Sequence, residues 1–175
     1  AMLLMNEGKP DQAAPLLRAA LATSADAVEV LSNLASIEAM HGQDAPAVAL
    51  DERALADQPR YAPARVGLAR LLAKKGAPAR AADELNRAIH DQPGYAPAYF
   101  ELGKLLQAHG RFDEAIVNFD EAARHDPDLA VARAQSAYTR GLIYASRQDW
   151  PEAAEQFRRA IAIDPQFAEA YNNLG

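Results

Sequence analysis

The sequence predicts an all-α fold built from stacked helix–turn–helix repeats. Three observations predict it: apolar residues recur at helical spacing, glycines interrupt them at turn positions, and prolines return at a nearly constant interval. Pro59, Pro93 and Pro127 are each 34 residues apart, and Pro165 follows Pro127 after 38. A fixed period of about 20–50 residues indicates a repeat architecture.

The best-formed repeat is residues 96–129. Its large apolar residues fall at helical spacing, its small residues fall where two helices would touch, and a glycine and a proline mark the turn and the end. These are Tyr99, Leu102, Leu106, Phe112, Ile116 and Phe119, then Gly103, Ala115 and Ala122, then Gly110 and Pro127. The arrangement predicts two short amphipathic helices that pack closely across a tight turn.

Composition bounds the fold and excludes several classes of function. The 175 residues are half hydrophobic but only 7% aromatic, which favours closely packed helices over a β-sandwich. The net charge of −6 argues against a nucleic-acid binder. No apolar run approaches the roughly 20 residues of a membrane span, so we expect no membrane insertion and a soluble protein. The chain has no cysteine, which suits the cytosol and the periplasm alike. The compartment stays open, with the cytoplasm preferred.

The pattern of residues 96–129 resembles the tetratricopeptide repeat (TPR) family, whose unit has 34 residues. The resemblance covers nearly the whole chain and implies a single domain, 1–175, that forms a right-handed superhelical α-solenoid. Its units would be a partial repeat 1–27, complete repeats 28–61, 62–95, 96–129 and 130–167, and a partial repeat 168–175. Because the chain begins and ends inside a repeat, we expect it to be a fragment.

The repeat register also makes local predictions. In the partial first repeat, residues 1–7 would end a first helix, Gly8 would form the turn, and 10–21 would form the second helix. The repeat 130–167 carries four extra residues, about one helical turn, so its first helix should span roughly 129–147. Two residues depart from the pattern: Asp51 stands where Phe119 stands, and Arg65 stands where Tyr99 stands.

No residue pattern predicts catalysis. The histidines do not fall at the i, i+4 spacing of a helical metal site, and we expect them to face solvent at turns. No phosphate-binding glycine loop and no nucleophile elbow is present. Acidic residues in a first helical turn complement the helix dipole without any catalytic role. We therefore predict a chain that is not an enzyme and that needs no cofactor or metal.

The family resemblance implies where a partner would bind. In TPR proteins the first helix of each repeat lines a concave groove, and in this chain the groove positions include Arg70, Lys74, Phe100, Lys104, Gln107, Tyr138, Leu142 and Asn173. Phe100, Tyr138 and Leu142 would form an exposed apolar patch of the kind that binds partners. The alternative is that the lengthened helix covers these three residues internally.

A cluster of positive charge lies beside these positions. Residues 60–90 hold seven Lys or Arg residues against two acidic ones. This cluster could attract an acidic segment of a partner, or it could offset acidic neighbours in the stack. The sequence does not separate the two.

The sequence therefore predicts a non-catalytic protein-interaction scaffold that holds a peptide or helix of a protein partner in its groove. One alternative is the targeting or regulatory arm of a larger bacterial enzyme, such as a glycosyltransferase. Another is a self-assembling stack, in which terminal helices that expose unpaired surfaces associate with one another.

Overall fold

The computed structural model describes residues 4, 7–22 and 27–174. Their contacts group into two compact units, Ala1–Pro93 and Gly94–Gly175, and each is described by itself. Residues 7–22 and 27–174 contain α-helices and no β-strand. The all-α prediction is confirmed, and the helices pack in pairs as stacked helix–turn–helix units. The prediction for residues 1–7 lies largely outside the described residues.

The first unit consists of helix pairs joined by short turns. Its helices are α1 (Pro10–Leu21), α2 (Ala27–Met40), α3 (Asp44–Asp57), α4 (Ala62–Lys74) and α5 (Pro78–Asp91). Helix α2 packs against α3, and α4 packs against α5, while α1 and α3 contact the helices that follow them. Helix α1 has the predicted bounds, and Gly8 precedes it in a left-handed conformation with φ of 68°.

The second unit has the same organisation. Its helices are α6 (Ala96–Ala108), α7 (Phe112–His125), α8 (Ala130–Ser146), α9 (Trp150–Ile163) and α10 (Ala168–Leu174). Helix α6 packs against α7 and α8 against α9, and α8 also contacts α7. Helix α8 has 17 residues where α6 has 13, which confirms the predicted extra turn.

One left-handed residue ends the first helix of each pair. In three pairs it is a glycine, with φ of 75° at Gly42 and Gly76 and 72° at Gly110. At the turn after Gly110 the N–H of Arg111 donates to the carbonyl oxygen of Leu106 at 3.0 Å, the bond that closes such helix ends. In the fourth pair the position is taken by Gln148, with φ of 64°. Side chains disfavour this conformation, so Gln148 makes its turn at a cost that the glycines avoid.

Small and large residues are matched across each helix pair of the second unit. Gly103 of α6 faces the ring of Phe119, and a Cβ at Gly103 would lie 2.7 Å from ring carbons. Gly141 faces Phe157 in the same way. Both rings are buried, as are Ala115 and Ala122. The predicted role of small residues at helix contacts is therefore confirmed, because they leave room for the buried rings.

Candidate functional site

A pocket in the second unit brings together three of the residues predicted to bind a partner. Its volume is about 360 Å³. We call it the second-unit pocket; its lining is Gln107, Ala108, Phe112, Gln135, Tyr138, Leu142, Phe167 and Glu169. These residues come from α6, α7, α8, α10 and the segment before α10. The lining combines apolar surface with carboxamides and one carboxylate, the composition of a site that orients a ligand by a few polar contacts.

Tyr138 anchors this pocket to the core of the second unit. Its ring lies 5.6 Å from the ring of Phe157 and 5.0 Å from that of Phe167, centroid to centroid. Its hydroxyl oxygen accepts a hydrogen bond from Nδ2 of Asn173 at 3.1 Å. Burial and the Glu169 carboxylate raise the pKa of the Tyr138 hydroxyl above its ordinary value. Asn173, also a predicted groove residue, thus acts on the pocket by positioning Tyr138.

The polar side of the pocket is a short hydrogen-bond network. Nε2 of Gln107 donates to Oγ1 of Thr139 at 2.7 Å and to Oε1 of Gln135 at 3.4 Å. Thr139 is fully buried, and its hydroxyl donates to the carbonyl oxygen of Gln135 at 2.6 Å. These bonds fix the two carboxamides at the junction of α6 and α8. A held carboxamide loses less conformational entropy when it binds a ligand than a free one does.

Phe100 and Lys104 lie on α6 but are not among the residues that line the pocket. The half-buried ring of Phe100 lies 5.8 Å from that of Phe119. The ammonium of Lys104 sits 5.6 Å from the centre of the Phe100 ring and donates to Oε2 of Glu101 at 3.1 Å. Phe100 is therefore partly covered by the side chains of Phe119 and Lys104.

The predicted apolar patch is half-buried in the structure. Phe100, Tyr138 and Leu142 are each of intermediate exposure, and the rings of the first two pack on buried phenylalanines. The structure brings Tyr138 and Leu142 to one pocket and leaves Phe100 outside its lining. Each of the three residues exposes part of its surface to solvent, and the rest of the side chain packs inside the unit.

Arg70 and Lys74, the remaining predicted groove residues, line a different pocket, in the first unit. Its volume is about 310 Å³. We call it the first-unit pocket; its lining is Ala35, Ser36, Ala39, Met40, Asp44, Asp51, Gly67, Arg70, Leu71 and Lys74. Asp51 is only 2% exposed, and burial raises its pKa to about 7, although a hydrogen bond from Ser32 and the charge of Arg70 act in the opposite direction.

The cations at the predicted groove positions have acidic neighbours within the chain. Lys74 donates to Oδ1 of Asp44 at 2.8 Å, and Lys104 is held by Glu101. Arg70 acts electrostatically on Asp51. Of the two explanations for the basic cluster, these contacts favour the one in which it offsets acidic neighbours.

Sequence reasoning missed two features of the first unit. The first is the pocket around Asp51; the departure of Asp51 from the repeat pattern was the available signal. The second is the role of Arg65, which replaces an aromatic residue. Its guanidinium lies 2.7 Å from Oε2 of Glu84 and 3.4 Å from Oδ2 of Asp91. The ion pairs link α4 to α5. In the second unit the equivalent Tyr99 stacks on His125, with the ring centroids 5.3 Å apart.

Neither a metal site nor a membrane span is found in the part of the chain that the structure describes. There, no three His, Asp or Glu residues are grouped closely enough to hold a metal ion. His41 and His109 are exposed, as predicted for turn histidines, whereas His125 is partly covered by its stack on Tyr99. No described helix is both long and apolar enough to cross a bilayer.

Comparison of structures shows the same fold in other repeat proteins. The thermophilic TPR protein TTC0263 of Thermus thermophilus superposes with a TM-score of 0.72 and 25% identity, covering 99% of this chain and 92% of its own. YrrB, a TPR protein with an unusual peptide-binding site, gives a TM-score of 0.63 and 25% identity, and the match covers 97% of this chain and 86% of YrrB. MamA (41-end) from Desulfovibrio magneticus RS-1 gives a TM-score of 0.66 and 20% identity, and the match covers 95% of this chain and 92% of MamA. At this identity the similarity shows the fold alone.

Comparison of sequences places the repeats along the chain. No curated protein sequence matches it. Tetratricopeptide repeat profiles match residues 1–62, and 44–105 together with 72–140. A TPR repeat profile matches residues 141–175. With helix pairs, turn glycines and small residues at helix contacts where the repeat pattern places them, the chain belongs to the tetratricopeptide repeat family.

Proposed function

We propose that this chain is a non-catalytic interaction module that binds a peptide or a helix of a protein partner at the second-unit pocket. The observation that carries the proposal is the convergence of Gln107, Tyr138 and Leu142 on one pocket of about 360 Å³. The repeat register had assigned all three to the groove of the family. YrrB, which shares the fold at 25% identity, is a TPR protein with an unusual peptide-binding site, and this supports a peptide as the ligand.

The pocket has the chemistry that a peptide side chain and its backbone require. Tyr138, Leu142 and Phe167 offer apolar surface that an aliphatic or aromatic side chain can cover. Gln107 and Gln135 present carboxamides, which both donate and accept hydrogen bonds and so match a peptide backbone. Because the internal network already holds these carboxamides, binding costs less ordering of side chains.

The test is a selection of peptides from a displayed library on the immobilised chain, followed by measurement of the dissociation constants of the selected peptides. Leu142→Glu puts a charge at the apolar side of the pocket and should weaken binding by at least about tenfold. The matched control is Val117→Glu, because Val117 is 61% exposed on α7 and does not line the pocket.

Alanine substitutions of Phe100 or Tyr138 are less suitable tests, because both rings pack on buried phenylalanines and their loss would disturb the fold. Circular dichroism of both glutamate variants should match that of the native chain. The assignment of the pocket is wrong if Leu142→Glu and Val117→Glu bind the selected peptides equally well.

A further inference from the structure

The first-unit pocket is lined by a carboxylate at a position that is apolar in the other helix pairs. Asp51 of α3 corresponds in the repeat register to Leu85, Phe119 and Phe157, and all four residues are buried. An aspartate fills less space than a phenylalanine. It also carries polar atoms that cost free energy in an apolar environment unless they are hydrogen-bonded. The core position is therefore both under-filled and polar.

One oxygen of this carboxylate has no partner. Oδ1 of Asp51 is buried and makes no hydrogen bond in the described structure, whereas the Ser32 side chain hydrogen-bonds the carboxylate. Gly67 of α4 lies directly against the carboxylate, and any side chain there would collide with it. Buried polar atoms of native proteins nearly always have partners, either protein groups or ordered water. Asp51 also lines an open pocket, from which such a partner can approach its carboxyl group.

The pocket has the size and walls for one side chain. Its volume is about 310 Å³, and Ala35, Ala39 and Leu71 form apolar walls that an aliphatic stem can contact. Arg70 and Lys74 stand at its exposed edge, where Lys74 is paired with Asp44. The carboxylate of Asp51 lies at the buried end.

We propose that the first-unit pocket binds the carboxamide side chain of a glutamine or asparagine from a peptide partner, with the Asp51 carboxyl group accepting its amide N–H. This assignment rests on the proposed peptide-binding function and names the chemistry of one subsite. The Asp51 side chain turns about its Cβ–Cγ bond, a soft torsion, to direct an oxygen into the pocket.

Charge and protonation favour a carboxamide over the other donors. The charge of Arg70 already acts on the Asp51 carboxylate, so a cationic side chain gains less there than it would beside a carboxylate with no cation nearby. A purely apolar side chain would leave Oδ1 unpaired. Burial raises the pKa of Asp51 to about 7, so near neutral pH part of the population carries the acid form. The acid donates its O–H to the amide carbonyl while it accepts the amide N–H, which pairs both groups.

Three small probes of similar size test the assignment on the isotope-labelled, full 175-residue chain, with amide chemical shifts as the readout. Butyramide carries the proposed group, 2-pentanone has its shape without the N–H, and butylammonium is the cationic competitor. We expect butyramide to shift the amides of Ala35, Gly67 and Leu71, and to bind about three- to tenfold more tightly than either of the other probes.

Two substitutions of Asp51 sharpen the test. Asp51→Asn keeps an acceptor and a donor and should retain butyramide binding within about threefold. Asp51→Leu, which installs the residue found at position 85, should abolish the preference for butyramide over 2-pentanone. Circular dichroism checks that both variants fold.

Equal binding of butyramide and 2-pentanone, tighter binding of butylammonium, or no shift at the first-unit amides would each overturn the proposal. None of these outcomes bears on the second-unit pocket. Its own test, the loss of peptide binding in Leu142→Glu, uses residues of the other unit, so the two proposals fail separately.

Discussion

The two units build the same helix pairs around different interiors. In the second unit Phe119 and Phe157 fill the space opposite Gly103 and Gly141, and the rings of Tyr138 and Phe167 extend that packing. In the first unit the position of these phenylalanines is taken by Leu85 in one pair and by Asp51 in the other. The backbone pattern of helices and turns therefore does not depend on an aromatic core.

A second pair of positions shows the same contrast. Tyr99 stacks on His125 in the second unit, whereas the equivalent Arg65 and Asp91 of the first unit form an ion pair at 3.4 Å. Stacked rings and a partly buried ion pair both join the two helices of a repeat. The two contacts differ in how much stability is lost when one partner is replaced. A buried charge that loses its partner destabilises a protein far more than the replacement of a ring by another apolar group does.

The largest expected effect comes from moving the first unit's aspartate into the second. Phe119→Asp removes a fully buried ring and leaves a carboxylate opposite Gly103, without the groups that surround Asp51. We expect a loss of about 4–5 kcal/mol in the free energy of unfolding, measured by urea denaturation. Val117→Asp adds the same charge at an exposed site of the same helix, where acidic residues lie three and four positions away on either side, and should cost only about 1–2 kcal/mol. A small effect of Phe119→Asp would mean that the ring does not hold the pair together.

The next effect is a pH dependence of the free energy of unfolding that comes from Asp51 in the first unit. The pKa of Asp51 is about 7 in the folded chain against 3.8 for the unperturbed group, so the folded form binds the proton more tightly. The stabilisation from this proton is complete below about pH 4 and is lost as pH rises through 7. Relative to Asp51→Asn, the free energy of unfolding of the native chain should fall by up to about 4 kcal/mol between pH 4 and 8. Parallel stability curves for the two proteins would show that Asp51 has an ordinary pKa.

A smaller effect tests the match between glycine and phenylalanine. In Gly103→Ala the new Cβ would lie 2.7 Å from ring carbons of Phe119, so the helices must separate or the ring must shift. We expect a net loss of about 1–2 kcal/mol in unfolding free energy, because overpacking outweighs the better helix propensity of alanine. In Gly94→Ala the Cβ meets nothing closer than 3.9 Å, and this variant should be nearly neutral. Equal stabilities would mean that the contact is loosely packed.

The smallest effect concerns the turn that lacks a glycine. Gln148→Gly removes the left-handed strain at φ of 64° and should raise the unfolding free energy by about 0.5–1 kcal/mol. The reverse change at an equivalent turn, Gly110→Gln, should lower it by a similar amount. Thermal unfolding of the two variants measures both shifts, and a destabilised Gln148→Gly variant would contradict this explanation.

The sequence predicted those features that depend on local pattern. The helix pairs, the turn glycines, the longer α8 and the small residues at helix contacts, Gly103 among them, all follow from spacing within one repeat. The repeat boundaries and the single domain remain predictions. Features that depend on groups from three helices were out of reach, such as the pocket in which Asp51 meets Ser32 and Gly67.

The candidate site was predicted only in part. The repeat register placed Gln107, Tyr138 and Leu142 on one face, and the structure brings them to one pocket. The sequence could not show that Phe100 would be covered by Phe119 and Lys104, or that the cations would pair with Asp44 and Glu101. Those contacts depend on side-chain conformations, which a repeat pattern does not determine.

The central claim, that the second-unit pocket binds a peptide, is tested most directly by mapping a selected peptide onto the isotope-labelled chain by amide chemical shifts. We expect the largest shifts at Gln107, Tyr138 and Leu142, and we expect Leu142→Glu to remove them. Shifts centred instead around Val117, on the exposed face of α7, would contradict the claim.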